Sequence, residues 1–210
     1  MSKKADIESK ILEAAYRLFL VQGYRKTTMD DIAQGLSMSK KTLYKFYPGK
    51  MELLAATFDM LKSRLSIKVE SLLDNKYIPY TAKLKSMLTI VATDLAPINP
   101  ELLEDLREHA PEIWKELQGY IRQSAYLRFQ RLIQEGVEKG FISSQVNVSL
   151  VVLMYASAIQ NLIDPRFLSQ FPDEMSQKLE LSTADIYDQI IQIIYQGILT
   201  DEAKAEFRKV

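Results

Sequence analysis

No cysteine occurs among the 210 residues. Disulfide scaffolds, thiolate metal sites and cysteine nucleophiles are thereby excluded, and a reducing compartment, the cytoplasm, is the expected location. Only one histidine is present, His109. No Ser-His-Asp grouping it could serve, no glycine-rich phosphate loop and no strong metal-ligand spacing is visible, so the chain is not read as an enzyme and no cofactor is expected. Glycine and proline are scarce, seven of each, and no stretch alternates apolar with polar residues for long enough to argue for a sheet. Long apolar runs are missing as well. The longest, Leu150 to Ile159, falls short of the roughly 20 residues a membrane span needs. The stretch from Ile11 to Val21 is interrupted by Glu13 and Arg17, so it does not read as a signal-peptide core, and no membrane partner is expected.

Net charge is absent too, with 27 cations against 27 anions, but its distribution is uneven. Residues 1–50 hold ten of the cations and five of the anions, leaving 17 and 22 for the other 160 residues. A basic head precedes an acidic body, and a basic head is the electrostatic footprint of a nucleic-acid partner.

The apolar residues recur at helical spacing and predict an all-α fold. Ile7, Ile11, Ala14, Ala15 and Leu18 form one stripe up to a stop at Gly23. Thr28 followed by Asp31 resembles a capping box opening a short second helix through Leu36. Ser39 is an N-cap for a third helix, which must end near Tyr47 because Pro48-Gly49 follows. Met51, Leu54, Ala55, Phe58, Leu61 and Leu65 stripe a long fourth helix that runs from head to body. Breaks follow at 75–79, 96–100, Pro111, 136–144, 164–172 and Ser182. Two later segments, 148–163 and 183–199, are apolar over such broad faces that they are expected to be buried on several sides. They are the candidate homodimer interface; the alternative is that they fill the monomer core.

Thr27 to Leu54, TTMDDIAQGLSMSKKTLYKFYPGKMELL, is the specific segment. With the Gly23-Tyr24 turn, Thr27-Thr28, Asp31-Ile32-Ala33, Ser39-Lys40, Thr42-Leu43-Tyr44, Tyr47 and Lys50 followed by an acid and two leucines, it resembles the TetR family of bacterial regulators. The resemblance is strong from residue 6 to about 66 and weak beyond. It implies a head at 1–50, with the helix-turn-helix at about 29–48, joined by the fourth helix to a ligand-binding and dimerisation domain at 51–210. The function it implies is that of a sequence-specific DNA-binding transcriptional regulator, a repressor relieved by a ligand. A constitutive architectural DNA-binding protein and an all-helical enzyme are the alternatives.

The residues make chemical sense for that role. Lys40 and Lys41 stand in the first turn of the third helix, where the positive end of the helix dipole disfavours cations; an anionic partner would favour them. Thr42 and Tyr44 offer hydroxyls and a methyl or ring to base edges, and Lys45 extends the same surface. Thr28, Ser39, Tyr47 and Lys50 complete the expected DNA-binding set: the Tyr47 hydroxyl is assigned to a phosphate, and the resemblance implies backbone contacts for Lys50 and Thr28. The order Phe46-Tyr47 leaves open which ring is buried. Asp30 is read first as a helix-dipole partner and second as an acceptor from cytosine N4. In the body, the resemblance implies a pocket for a small apolar or amphipathic ligand, with Trp114, Tyr126, Tyr155 and Asn161 as its candidate residues. The acids Glu101, Glu104, Asp105, Glu108 and Glu112 around His109 are read as a solvent-facing stripe rather than a metal site.

Overall fold

The computed structural model describes residues 3–95, 100–162, 165–172, 174 and 183–207. Its regular elements are helices: α1 (Lys3–Lys26), α2 (Met29–Gly35), α3 (Lys40–Phe46), α4 (Lys50–Asp74), α5 (Tyr80–Leu95), α6 (Pro100–His109), α7 (Pro111–Ser124), α8 (Gln130–Glu138), α9 (Val148–Leu162), α10 (Pro165–Leu168), α11 (Thr183–Ile198) and α12 (Asp201–Phe207). A five-residue π-helical turn, Ala125–Phe129, joins α7 to α8. The all-α reading holds: among the described residues the only β pairing is a single bridge between Ile142 and Leu199. No described helix is long and apolar enough to cross a membrane. Of the breaks expected at 96–100, 164–172 and Ser182, residues 96–99, 164 and 182 lie outside the described residues, and the short helix α10 stands within 164–172.

The chain divides into two compact units. The first comprises Met1–Arg64 together with Pro97–Gln118, the second Leu65–Ala96 together with Gly119–Val210. The first unit joins α6 and the start of α7 to the helices of the head, with α6 lying along α1. In that unit Ile11, Ala15 and Phe19 of α1, Ile32 of α2, Leu43 of α3, Leu53 and Leu54 of α4, and Leu102 and Leu106 of α6 are almost completely removed from water. Their burial at spacings of three and four residues is what makes short helices such as α2 and α3 stable, since seven residues would not hold a helix alone.

The second unit is built around Val69, Leu72 and Leu73 of α4, Tyr80, Leu84 and Met87 of α5, Phe129, Leu132 and Ile133 at the α8 end, and Val151, Val152 and Tyr155 of α9. Phe129 and Tyr155 stack with ring centroids 3.9 Å apart. Gly136 is required there: a β-carbon would collide with the Tyr80 hydroxyl and meet Ile142 Cδ1 at 2.8 Å, and Tyr80 uses that hydroxyl to donate to the Leu132 carbonyl at 3.1 Å. Lys83 is buried in this unit. It donates to the Leu73 carbonyl at 2.8 Å and to Glu135 at 3.2 Å, satisfying an orphan carbonyl near the end of α4 and tying it to α5 and α8. Burial raises the Glu135 carboxyl, but hydrogen bonds from Lys139 and Lys83 outweigh it and hold the pKa below the usual value.

Candidate nucleic-acid interface

The local chemistry of the head explains why α2 and α3 start and stop where they do. Thr28 caps α2: Asp31 N donates to Thr28 Oγ1 at 3.1 Å while Thr28 N donates back to Asp31 Oδ2 at 2.8 Å, the reciprocal arrangement expected of Thr-x-x-Asp. The Thr28 hydroxyl, which donates to Asp31 Oδ2 at 2.6 Å, and then the Thr28 N–H hold the Asp31 carboxyl below its ordinary pKa. At the far end Met38 N donates to the Ala33 carbonyl and Ser37 N to the Gln34 carbonyl, both at 2.9 Å. With Ser37 at φ 51°, this is a Schellman turn in which serine takes the left-handed position that glycine usually fills. Ser39 then caps α3, accepting from Thr42 N at 3.1 Å, with the Ser39 and Thr42 hydroxyls 2.8 Å apart.

On α3 the 3.6-residue period separates two faces. Leu43 and Tyr47 point inward, whereas Lys40, Lys41, Tyr44 and Lys45 are exposed and Thr42 is half-buried. A seven-residue basic helix with its apolar side locked against α2 therefore presents three lysines and a tyrosine to solvent. Asp30 stands in the first turn of α2, as its helix-dipole reading requires, and its carboxylate also pairs with Lys40 across the turn between the two helices. Among the described residues neither Lys41 nor Lys45 makes an ion pair.

Tyr47 and Lys50, both expected to face phosphates, make contacts within the head. The Tyr47 ring is 7% exposed, and its hydroxyl donates to Glu8 Oε1 of α1 at 3.4 Å. Burial first, then the Glu8 charge, pushes the phenol up to about 12. Phe46 is the half-buried ring of the pair. The register of α3 decides this, since position 47 follows Leu43 by four residues and shares its inward face. Lys50 reaches back to the end of α1, donating to the carbonyls of Tyr24 at 3.0 Å and Arg25 at 3.3 Å and lying 4.3 Å from the Tyr24 ring centroid. Burial lowers its pKa, and the Asp105 charge opposes the shift. An ammonium at carbonyls near a helix C-terminus is well used there, without a nucleic-acid partner.

Asp105 makes a structural contact that the sequence pattern missed. Instead of belonging to a solvent-facing stripe, its carboxylate accepts from Arg25 N at 2.9 Å, and it closes so tightly on Gly23 that a β-carbon there would meet it at 2.6 Å. Gly23 sits at φ 79°, ψ 169° and interrupts α1. An isolated Asp on an acidic helix carries no signal for such a contact 80 residues away in sequence. Glu108 and Glu112 are exposed and Glu104 is half-buried, while the Glu101 side chain lies outside the described residues. Among the described residues no three His, Asp or Glu side chains gather as metal ligands.

The residues expected to line a ligand pocket fall in both units. Trp114 belongs to the first unit, where the Arg107 guanidinium lies 5.0 Å from its ring centroid. In the second unit Tyr155 is buried, whereas Tyr126 on the π-helical turn and Asn161 on α9 are exposed.

Comparison with known proteins bears on the head most directly. Residues 11–57 match the family described as bacterial regulatory proteins, tetR family. Over 196 residues the chain is 26% identical to the HTH-type transcriptional regulator YvaF of Bacillus subtilis, covering 93% of this chain and 97% of that protein. A transcriptional regulator from Cytophaga hutchinsonii has the same fold, with a TM-score of 0.68 at 20% identity, covering 95% of this chain and all of that one. The fatty acid degradation regulator FadR from Bacillus halodurans aligns with a TM-score of 0.64 at 19% identity, covering 94% and 97% of the two chains.

Proposed function

We propose that this chain, a TetR-type regulator with a helix-turn-helix head, is a homodimeric repressor that binds a roughly palindromic operator and releases it when a small ligand enters the body. The observation that carries the reading is the exposed face of α3, where Lys40, Lys41, Tyr44 and Lys45 stand together on a helix whose opposite side is fixed in the core. A recognition helix needs this division: a rigid inner face sets the register, and outward cations and hydroxyls meet phosphates and base edges. Thr28 and Ser39 support it as the caps that fix the two helices.

Two heads reading successive major grooves must stand about one helical turn, or about 34 Å, apart, which calls for a second copy. Support for the dimer comes from α9, where Leu150, Leu153 and Met154, spaced three and four residues apart, are all more than half exposed, and from Ile193 of α11, 73% exposed. Apolar side chains clustered on one helix face are the usual mark of a protein contact. The proposed ligand is small and apolar or amphipathic, in keeping with an interior formed by Phe129, Leu132, Ile133, Val151 and Val152. Relief by ligand requires that it bind more tightly to a conformation in which the heads no longer match the two half-sites. Helix α4, continuous from Lys50 to Asp74, is the covalent route for that coupling.

Fluorescence anisotropy against DNA from upstream of the protein's own gene and a scrambled duplex, at two salt concentrations, tests the core of this reading. Saturable binding that prefers the upstream duplex and weakens with salt is the expected result. Equal binding to both would favour an architectural role, and binding to neither would defeat the DNA-binding assignment.

A further inference from the structure

We propose that Asp30 is a specificity-determining residue of the head: its carboxylate holds the Lys40 ammonium for neutral acceptors on base edges and withholds it from phosphates. The proposal rests on the DNA-binding reading above and assigns a division of labour within that site. Asp30 lies in the first turn of α2 and Lys40 in the first turn of α3, so their ion pair closes across the turn of the helix-turn-helix. The side chains remain 53% and 64% exposed, on the part of the head that presents α3. Asp31, the neighbouring acid, is occupied by the capping box with Thr28.

The physical argument turns on what each acceptor carries. An ammonium has three N–H donors and no acceptor. Asp30 takes one, and two remain, which is the number that the O6 and N7 acceptors of a guanine offer in the major groove. Those acceptors are neutral and tolerate a carboxylate a few ångströms away. A phosphate carries a full negative charge, so to reach Lys40 it must either displace Asp30 or endure its repulsion. The same pair therefore penalises sequence-independent backbone binding while leaving base reading intact. Lys41 and Lys45 lack such a partner among the described residues and keep their attraction for phosphates. The pair also compensates Lys40 for its unfavourable position at the positive end of α3.

The test uses the full chain and two duplexes: one enriched from a random pool by the wild-type protein and a shuffled duplex of the same composition. Asp30→Asn preserves the shape of an exposed side chain and removes its charge. Anisotropy should show binding to the shuffled duplex tightened about threefold or more, with the log–log salt slope steeper by about 0.9 because one more phosphate is neutralised. The enriched duplex should gain less, so that the preference between the two falls. In a Lys40→Ala background the effect of Asp30→Asn should disappear. Equal gains on both duplexes, or an undiminished effect without Lys40, would overturn the proposal while leaving the DNA-binding reading standing. Failure of the wild-type protein to enrich any duplex would instead defeat that reading, and this proposal with it.

Discussion

At the scale of single residues, three positions in the head combine local strain with local compensation. Ser37 holds φ 51° at the Schellman turn, a conformation costing an L-residue about 1–2 kcal/mol that glycine does not incur. Part of that gain is returned through the freer unfolded chain, so Ser37→Gly should stabilise the head by about 0.5 kcal/mol, raising the urea midpoint without changing the slope. Lys50 spans the carbonyls of Tyr24 and Arg25. Lys50→Ala should therefore destabilise the protein by about 1–2 kcal/mol, and the salt slope of DNA binding should change far less than in Lys41→Ala or Lys45→Ala, each of which should flatten it by about 0.9. A slope change in Lys50→Ala as large as in the other two would return Lys50 to the phosphate contacts. Tyr47 has a folded-state pKa raised from 10.0 to about 12. Its contribution to stability is thus complete below pH 10 and is lost as pH rises from there through 12. Stability measured across that window should fall in the wild type and fall less in Tyr47→Phe.

At the scale of elements, the second unit is fastened where α4, α5 and α8 meet. Lys83 has a 4% exposed side chain and binds both a backbone carbonyl and Glu135. Removing the buried ammonium leaves the Leu73 carbonyl unpaired and Glu135 with Lys139 alone, so Lys83→Ala should cost about 2 kcal/mol, read as a lowered urea midpoint. A second tie is more open to solvent: Arg128 donates to Glu70 at 2.7 Å and to the Tyr120 hydroxyl at 3.2 Å, and Arg131 pairs with Glu70 and Asp74. These bonds bring the π-helical turn and α8 against the second half of α4. A π turn inserts one extra residue per turn and shifts the helix faces beyond it, which puts Tyr126 and Leu127 outside and Phe129 inside.

For the whole molecule, the outward apolar face of α9 is the feature that a lone chain leaves unexplained. If it is the dimer contact, Leu153→Glu should leave the fold intact, because that side chain is already 62% exposed. The variant should nevertheless shift the protein from dimer to monomer in light scattering at micromolar concentration and weaken operator binding by two orders of magnitude or more, since the second half-site contact is lost. A variant that remains dimeric would remove α9 from the interface.

The amino-acid sequence by itself determined the helical class, the helix ends in the head and the basic face of α3. Those features depend on neighbours within a few residues: Thr28 with Asp31, Ser39 with Thr42, Pro48-Gly49 after Tyr47, and apolar positions three or four apart. Tertiary structure alone decided which polar groups are already engaged. Tyr47 meets Glu8 39 positions earlier, Lys50 meets the end of α1, and Asp105 meets Arg25 80 positions away. The same holds within the second unit, where Tyr155 is buried while Tyr126 and Asn161 are exposed. A hydrogen bond needs its partner within about 3 Å, and which distant residue arrives there depends on how whole helices pack, which local pattern does not encode.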